Sequence, residues 1–330
     1  MSKRSCLAII LAAGEGTRMR SDTPKVMHPV GGRPMLGYVL DAARAAGAGR
    51  MAVVVGPRAD ATRRFVESNK ISAAIHQQRE RLGTAHAVLA ARKELAGQDE
   101  VLVLYGDTPL VTSKTLKRMR RALARADVVV LGFRPADPAR YGRLIVDGKQ
   151  LVAIREFNDA TPAERAIDLC NAGVMAFTAA AARLLGKIGN ANAKGEYYLT
   201  DLVELANASG KTVVALEADP QEVLGVDTRM QLAVAERLFQ TRARRQAMEG
   251  GATLIDPDSV FFSYDTRIGR DVVVEPHVFF GPGVSVDDAA PPRPQVMNGA
   301  LKDGEFSKAI KEGNLYMVVV DSIGFHTSDA

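Results

Sequence analysis

The sequence predicts an α/β fold, with a mostly parallel sheet followed by a long helix and a short β-helical segment. Three observations support this class. Apolar, strand-like runs alternate with helix-like segments over the first two thirds of the chain, which is typical of a parallel sheet covered by helices on both faces. A long amphipathic pattern then runs from Asp227 to about Met248. Beyond it, the apolar residues Ile268, Val274 and Phe280 fall six positions apart, a spacing typical of a parallel β-helix.

Each element of the α/β part is predicted from its apolar pattern. The run from Cys6 to Leu11 is apolar throughout, as in a strand buried on both faces. The helical spacing that begins at Met35 ends before Gly47, a residue type that often ends helices. The predicted strands cover 6–11, 51–55, 101–105 and 127–133, with a further short strand reached through 67–75, and the predicted helices cover 35–46, 83–95 and 115–125. Ligands of such sheets bind at the carboxyl ends of the strands.

These patterns divide the chain into four parts. Residues 1–227 are expected to form the α/β domain, 228–250 a linker helix and 251–290 a short β-helix of about three readable six-residue units. Residues 291–330 stay unassigned, apart from a strand-like run at 315–320.

Composition and charge argue against several classes of protein. The 330 residues are 47% hydrophobic and 25% charged, as in an ordinary globular protein. The net charge of +5 is too small, and the basic clusters are too poor in aromatic residues, to indicate nucleic-acid binding. No apolar run approaches the roughly 20 residues of a membrane helix. Cys6 and Cys170 lie in separate apolar runs, which favours free thiols in a reducing compartment, so we expect a cytoplasmic protein with no membrane or nucleic-acid partner.

The segment that follows the first strand carries the strongest chemical signal. Gly14 and Gly16 allow backbone N–H groups to approach phosphate oxygens without interference from a Cβ atom. Arg18 adds a forked cation and Lys25 a point charge suited to a polyphosphate. A dinucleotide-binding G-x-G-x-x-G motif is disfavoured because Met19 stands where the third glycine would fall. A bare strand-to-helix turn is the other alternative, but it would not need both cations.

Asp107 is a second candidate on its residue type and position. It follows the predicted strand 101–105 at the edge where ligands bind, and a carboxylate there can hold a hard cation with oxygen ligands. The structural alternative is a turn or helix N-cap before Pro109, and the two roles are compatible.

At these residues the sequence resembles the sugar nucleotidyltransferases, whose signature L-A-A-G-x-G-T-R-M is followed by P-K and here spans 11–19, with Pro24 and Lys25. Further motifs are similar to one branch of that family, the bifunctional N-acetylglucosamine-1-phosphate uridylyltransferase/glucosamine-1-phosphate acetyltransferases, over roughly residues 5–287. These motifs are Gln78 with 82–87 (LGTAHA), 105–110 (YGDTPL), 141–143 (YGR), 171–173 (NAG), 195–201 (GEYYLTD) and the six-residue repeats.

The resemblance implies a Rossmann-like nucleotidyltransferase (pyrophosphorylase) domain over 1–227 and a stub of left-handed parallel β-helix behind the long helix. It implies that Arg18 and Lys25 are catalytic and that Mg²⁺ is the cofactor, bound by Asp107 and Asp227. It also implies that the nucleotide base binds near Gln78 and that the sugar binds near Glu156. The substrate-binding positions that it implies are Leu11, Ala12, Ala13, Gly14, Lys25, Gln78, Gly83, Thr84, Tyr105, Gly106, Asp107, Gly142, Glu156, Asn171 and Asp227.

Two positions depart from the family pattern. Relatives usually carry Asn where this chain has Asp227, but an aspartate also offers a ligating oxygen, so we expect metal binding to survive and to be tightened by the added charge. Relatives often carry Lys two residues after the glutamate, where this chain has Asn158. His86 and His28 are interpreted as structural rather than catalytic.

The reaction that the resemblance implies is Mg²⁺-dependent uridylyl transfer from UTP to N-acetylglucosamine 1-phosphate. Its products would be pyrophosphate and UDP-N-acetylglucosamine, a precursor of cell-envelope peptidoglycan and lipopolysaccharide. Because so few β-helical units are present, we expect no acetyltransferase activity, and the homotrimer of full-length relatives stays an open question here. Two alternatives are the same chemistry on another sugar 1-phosphate, giving UDP-glucose or a dTDP-sugar, and a non-catalytic nucleotidyltransferase-like assembly subunit.

Overall fold

The computed structural model describes residues 4–57, 59–69 and 71–288, together with the backbone of 295–296. These residues form two compact units. One contains residues 4–28 and 34–235, and the other contains 29–33 and the described residues from 236 onward. The predicted strand-like run at 315–320 lies outside the described residues.

Short strands and helices alternate along the described chain. The strands are β1 (Cys6–Ala12), β2 (Pro29–Val30), β3 (Arg33–Pro34), β4 (Arg50–Val55), β5 (Ala74–Gln77), β6 (Glu100–Tyr105), β7 (Val128–Phe133), β8 (Arg143–Asp147), β9 (Gln150–Arg155), β10 (Cys170–Thr178), β11 (Val213–Glu217), β12 (Thr253–Leu254), β13 (Arg267–Ile268), β14 (Val273–Val274), β15 (Ser285–Val286) and β16 (Gln295–Val296). The α-helices are α1 (Met35–Ala45), α2 (Asp60–Ser68), α3 (Thr84–Ala90), α4 (Ser113–Ala122), α5 (Pro162–Arg165), α6 (Ala179–Ala182), α7 (Leu202–Ala208) and α8 (Arg229–Glu249).

A mixed sheet forms the centre of the first unit, in the order β11-β7-β10-β6-β1-β4-β5. Its middle is parallel, because β1 pairs in parallel with both β4 and β6, and β4 pairs in parallel with β5. The antiparallel strand β10 lies between β6 and β7, and the antiparallel hairpin β8–β9 is attached to it. The predicted α/β class with a largely parallel sheet is confirmed, whereas the antiparallel insertion was not predicted.

Strand β1 is buried on both faces, as its continuous apolar sequence predicts. Ala8 and Ile10 belong to the hydrophobic cluster on one face, to which α1 and α4 contribute. Leu7 and Ile9 belong to the cluster on the other face, to which α3 and α7 contribute. Two covered faces leave the ends of the strands as the accessible part of the sheet. Cys6 and Cys170 are buried and free, as predicted.

Two predicted helices have different bounds in the structure. The helix predicted over 83–95 ends at Ala90, and a 3₁₀ turn over Arg92–Leu95 follows it. The helix predicted over 115–125 is α4, which starts earlier because the Thr112 hydroxyl caps it by accepting a hydrogen bond from the Thr115 N–H. Within the described residues, none of the helices combines the length and the apolarity needed to cross a membrane.

The second unit contains short parallel strand pairs beside the later part of α8. β12 pairs with β14, β14 with β16, and β13 with β15, all in parallel. Arg267 lies opposite Ser285, and Phe261 opposite Phe279. Each of these pairs is separated by 18 residues, which is three six-residue units. The Gln240 amide joins α8 to this region through two hydrogen bonds of 2.8 Å with the backbone of Phe262.

Candidate functional site

A cavity of about 560 Å³ lies in the first unit, beside the carboxyl ends of β1 and β6. Its walls include most of the residues that the sequence analysis singled out. Those that line it are Leu11, Ala12, Ala13, Gly14, Lys25, Gln78, Gly83, Thr84, Tyr105, Asp107, Gly142, Glu156, Asn171 and Asp227. The strand ends therefore bring together residues that are more than 200 positions apart in the chain.

The two glycines of the turn after β1 differ in their surroundings. Gly16 has φ +66°, and a Cβ atom built on it would lie 2.7 Å from the Lys25 Cβ. Gly16 therefore allows the turn to pack closely against the segment that carries Lys25. A Cβ atom on Gly14 would meet no protein atom within 4 Å. Gly14 lines the cavity, so its backbone is open to a ligand.

Four charged side chains, which we call the ion cluster, lie beside this turn: Lys25, Asp107, Asp227 and Arg18. The Lys25 Nζ donates a hydrogen bond to Asp107 and another, of 2.7 Å, to Asp227. Arg18 forms an ion pair of 3.0 Å with the second carboxylate oxygen of Asp227. The Lys25 side chain is only 12% exposed, whereas that of Arg18 is 68% exposed.

Burial by itself lowers the pKa of the Lys25 ammonium, but Asp107 and Asp227 together outweigh that effect. The pKa of Lys25 therefore lies above its usual value, and the residue is a permanent cation at neutral pH.

Local structure fixes the members of the ion cluster. Lys25 begins a 3₁₀ helix directly after Pro24. The segments of the two carboxylates are joined by a 3.0 Å hydrogen bond from the Val226 N–H to the Asp107 carbonyl. The Gln231 side chain accepts a 2.8 Å hydrogen bond from the Asp227 N–H. The cluster is therefore assembled by backbone geometry and not only by the attraction of its charges.

The two carboxylates of the ion cluster fit a Mg²⁺ site. Both reach the same atom, Lys25 Nζ, so both can also reach a common cation. Among the described residues, no group of three or more His, Cys, Asp or Glu side chains could hold a metal ion. Mg²⁺ is commonly bound by one or two carboxylates, with water and substrate phosphate oxygens completing its coordination. Asp107 and Asp227 match that pattern.

A second wall of the cavity, which we call the hairpin wall, consists of Gly142, Glu156, Asn171 and Tyr105. The Asn171 N–H donates a 2.8 Å hydrogen bond to the Gly142 carbonyl, and a Cβ atom on Gly142 would lie 3.4 Å from a Glu156 carboxylate oxygen. A Cβ atom on Gly173 would lie 2.7 Å from the Tyr105 ring. The ends of the β8–β9 hairpin, of β10 and of β6 therefore place these four residues along one wall of the cavity.

Burial raises the pKa of Glu156 above its usual value. The nearby charge of Lys194 opposes this shift, whereas those of Asp159 and Asp201 add to it. Burial also raises the pKa of Tyr105, so its phenol stays neutral. The hairpin wall is therefore a polar surface that carries a desolvated carboxylate.

A third part of the cavity, which we call the amide corner, consists of Gln78 and Gly83, and His86 contacts Gln78 from outside the cavity lining. The Gln78 Nε2 lies 3.0 Å from the Gly83 carbonyl oxygen and 3.1 Å from His86 Nδ1. Gln78 is buried, with 4% of its surface exposed, yet it lines the cavity.

The motif at 195–201 packs against the segment that carries Gly83 and forms hydrogen bonds with its backbone. The Tyr197 N–H donates to the Leu82 carbonyl at 2.7 Å, and the Ala85 N–H donates to the Tyr197 carbonyl at 2.9 Å. Gly83 has φ +111°, and a Cβ atom there would collide with the Tyr197 carbonyl oxygen. Gly83 therefore has a structural reason to be glycine, in addition to its place on the cavity wall.

Two predicted site residues do not line the cavity. Arg18 reaches it through its ion pair with Asp227. Gly106 packs against the protein, since a Cβ atom there would lie 3.0 Å from Val26 Cγ1. The sequence analysis missed Arg81, which lines the cavity, donates a 3.1 Å hydrogen bond to the Ala13 carbonyl and pairs with Glu15. A cation directly before the 82–87 motif was the available signal for it.

The sequence model of the MobA-like NTP transferase domain matches residues 8–251. The chain belongs to this family. The match includes the glycine turn, the ion cluster, the hairpin wall and the amide corner, so all parts of the cavity lie within the MobA-like NTP transferase region.

Individual relatives confirm the resemblance stated from the motifs. The bifunctional protein GlmU of Azorhizobium caulinodans is 59% identical over 291 residues, which are 87% of this chain and 65% of the relative. The GlmU protein of Xanthobacter autotrophicus is 60% identical over 291 residues, with the same shares. That of Sinorhizobium fredii is 51% identical over 291 residues, 87% of this chain and 64% of the relative. This MobA-like NTP transferase chain thus spans slightly less than two thirds of the length of those relatives.

Proposed function

We propose that the protein transfers a uridylyl group from UTP to N-acetylglucosamine 1-phosphate, with Mg²⁺, and releases pyrophosphate and UDP-N-acetylglucosamine for cell-envelope precursors. The observation that carries the proposal is the ion cluster beside the open Gly14 backbone. There, a buried lysine and two carboxylates converge at the edge of a cavity whose other lining residues include neutral polar groups and the buried Glu156. The two buried free thiols support a reducing, cytoplasmic location.

Charge supports a nucleoside triphosphate at the ion cluster. A triphosphate brings several negative charges, and Lys25, Arg18 and the open backbone of Gly14 are donors that can bind them. Mg²⁺ held by Asp107 and Asp227 would offset charge on the phosphates. A second cavity of about 420 Å³ shares Ala12, Ala13, Gly14 and Arg81 with the first, which offers space for the leaving pyrophosphate beside the same turn.

The hairpin wall and the amide corner carry groups that can bind the neutral ends of the two substrates, namely the sugar and the base. The carboxylate of Glu156 and the amide of Asn171 can hydrogen-bond to the hydroxyl and acetamido groups of an amino sugar. Gln78 can offer a hydrogen-bonding edge to a pyrimidine.

The reaction needs positioned charge rather than a general base. The second pKa of a phosphate monoester is near 6, so the attacking phosphate is already largely a dianion at pH 7. One of its oxygens forms a bond to the α-phosphorus of UTP, and the bond from that phosphorus to the bridging oxygen breaks, so the electron pair leaves with pyrophosphate. Lys25 and Arg18 bind the phosphate oxygens and hold the two anions in line, which lowers the barrier through orientation and electrostatic stabilisation.

The test is a pyrophosphate-release assay with UTP, N-acetylglucosamine 1-phosphate and Mg²⁺, with chromatographic detection of the nucleotide sugar. We expect equal amounts of pyrophosphate and UDP-N-acetylglucosamine. A panel that replaces the sugar by glucose 1-phosphate and UTP by dTTP tests the substrate assignment. Faster turnover with either replacement would contradict that assignment, and UTP binding without any pyrophosphate release would indicate a non-catalytic subunit.

A further inference from the structure

His86 contacts the nucleotide cavity only through another residue. It lies on α3, and its Nδ1 is 3.1 Å from the amide nitrogen of Gln78. The same amide nitrogen lies 3.0 Å from the Gly83 carbonyl oxygen. Gln78 lines the cavity, whereas His86 does not. Any effect of His86 on a ligand must therefore act through the Gln78 amide.

The contacts fix the orientation of that amide. The Gly83 carbonyl can only accept a hydrogen bond, so the group of Gln78 that faces it must be the NH₂ and not the carbonyl oxygen. The same NH₂ faces His86, and an NH₂ can only donate. His86 must therefore accept at Nδ1, which requires a ring whose Nδ1 carries no proton.

Two acceptors on one NH₂ group have a consequence for a ligand. Within the described part of the chain, both N–H groups of Gln78 have protein acceptors, so its carbonyl oxygen is the hydrogen-bonding atom left for the cavity. A carbonyl oxygen accepts from the N3–H of uracil and is repelled by the unprotonated N3 of cytosine. If His86 were absent, the Gln78 amide could rotate by about 180° and lose only its hydrogen bond to Gly83. Its NH₂ group would then face the cavity.

We propose that His86 is a positioning residue for base selectivity: it holds the Gln78 amide so that the site accepts a uracil-type edge and rejects a cytosine-type edge. This inference rests on the proposed nucleotide site. It predicts that removing the acceptor at position 86 changes the ratio between two nucleotides and not simply the total activity.

The experiment uses two variants that match each other in shape. His86→Asn places an acceptor oxygen near the position of Nδ1, whereas His86→Leu has a similar size and no acceptor. His76→Ala is the control, since His76 is another histidine of the same region and contacts Glu94 at 3.2 Å rather than Gln78. For each protein, the affinities for UTP and CTP with Mg²⁺ are measured by calorimetry, and kcat and KM by pyrophosphate release.

We expect His86→Leu to reduce the preference for UTP over CTP by about tenfold, the size expected for one hydrogen bond in a desolvated site. The change should fall on affinity and KM, with kcat largely preserved. His86→Asn and His76→Ala should keep the ratio of the wild type. An unchanged ratio in His86→Leu, or an equal loss for both nucleotides, would overturn the inference.

Pyrophosphate release tests the proposed reaction, whereas the ratio of the affinities for UTP and CTP tests the role of His86. A wild-type protein that binds UTP selectively but releases no pyrophosphate would contradict the proposed reaction, while the affinity ratios would still test His86. A wild-type protein that binds UTP and CTP equally would overturn the role of His86. If His86→Leu fails to fold, the comparison of His86→Asn with wild type still tests the idea, because a fall in the ratio there would contradict it.

Discussion

The ion cluster and the hairpin wall belong to the same cavity, but their charged side chains differ in whether they have a partner of opposite charge. Lys25 lies between two carboxylates, so the charges of the cluster are offset by protein groups. In the described residues, Glu156 of the hairpin wall has no ion pair, and burial raises its pKa. The cluster can therefore exchange its contacts with protein charges for contacts with a charged ligand, whereas the polar groups of the wall can form hydrogen bonds to a neutral one.

This difference predicts separate effects on the two substrates. Changes in the ion cluster should act on the nucleotide, on the metal and on turnover, because charge develops at the transferring phosphorus. Changes in the hairpin wall should act on the binding of the sugar phosphate, because in the proposed reaction that wall would contact the part of the substrate that does not react.

Removal of the metal should have the largest effect. We expect EDTA to abolish pyrophosphate release and excess Mg²⁺ to restore it, because Asp107 and Asp227 would offer only part of a coordination shell that substrate oxygens would complete. The thermal unfolding midpoint without substrate should not change with EDTA, since Lys25 already bridges the two carboxylates. Full turnover in the chelator would contradict the metal-assisted reaction.

Lys25→Ala should lower kcat on the order of 10²- to 10³-fold, the cost of losing one fixed electrostatic contact to the transition state. The matched control is Lys149→Ala, which removes an exposed lysine from the β8–β9 turn. Both proteins should keep the circular dichroism spectrum of the wild type. Wild-type kcat in Lys25→Ala would remove Lys25 from the catalytic set.

The two glycines of the turn provide a test that separates function from folding. A Cβ atom on Gly14 meets no protein atom, so Gly14→Ala should fold normally and should raise the KM for UTP by at least about tenfold through loss of phosphate contact with the backbone. Gly16→Ala should lower the unfolding midpoint for two reasons. The added Cβ atom would collide with Lys25, and an alanine at this positive φ costs about 1–2 kcal/mol of strain. A normal KM in a well-folded Gly14→Ala protein would show that no ligand contacts this backbone.

The parts of the site that the sequence predicted are those carried by local patterns. The apolar run of β1, the glycines after it and the carboxylate of Asp107 after β6 are each visible within a few residues of a strand end. Rules for parallel sheets then place such residues at one edge. Local patterns therefore predicted β1, β4, β6, β7 and the glycine turn, and they identified both members of the Lys25–Asp107 pair.

The rest depends on contacts between distant segments that no local pattern carries. β10 lies antiparallel between β6 and β7, and its apolar sequence does not specify that direction. Gly106 belongs to a binding motif, yet it packs on Val26. Arg81 binds the Ala13 carbonyl across 68 positions of the chain. Such roles follow from tertiary packing, which sequence spacing alone does not report.

Glu156→Gln tests the hairpin wall and should have a smaller effect on activity than the preceding changes. The glutamine keeps the shape of the side chain but replaces charge-assisted hydrogen bonds by neutral ones, so we expect the KM for N-acetylglucosamine 1-phosphate to rise about fivefold with little change in kcat. Glu67→Gln, the same substitution on an exposed residue of α2, is the control. A large fall in kcat with an unchanged KM would place Glu156 at the reacting phosphate and would remove the distinction between the two regions.

The same variant has a stability effect whose sign follows from the raised pKa of Glu156. The folded protein releases this proton at a higher pH than the unfolded chain, where a glutamate has a pKa of about 4.3. Folding stability therefore falls as the pH rises through that window, because the ionised carboxylate is disfavoured in the folded state. Glu156→Gln cannot ionise, so its unfolding midpoint should exceed that of the wild type at pH 7, and the gain should shrink as the pH falls toward 4. A gain that stays constant with pH would mean that packing, and not the buried charge, separates the two proteins, and the contrast with the ion cluster would then lose its electrostatic basis.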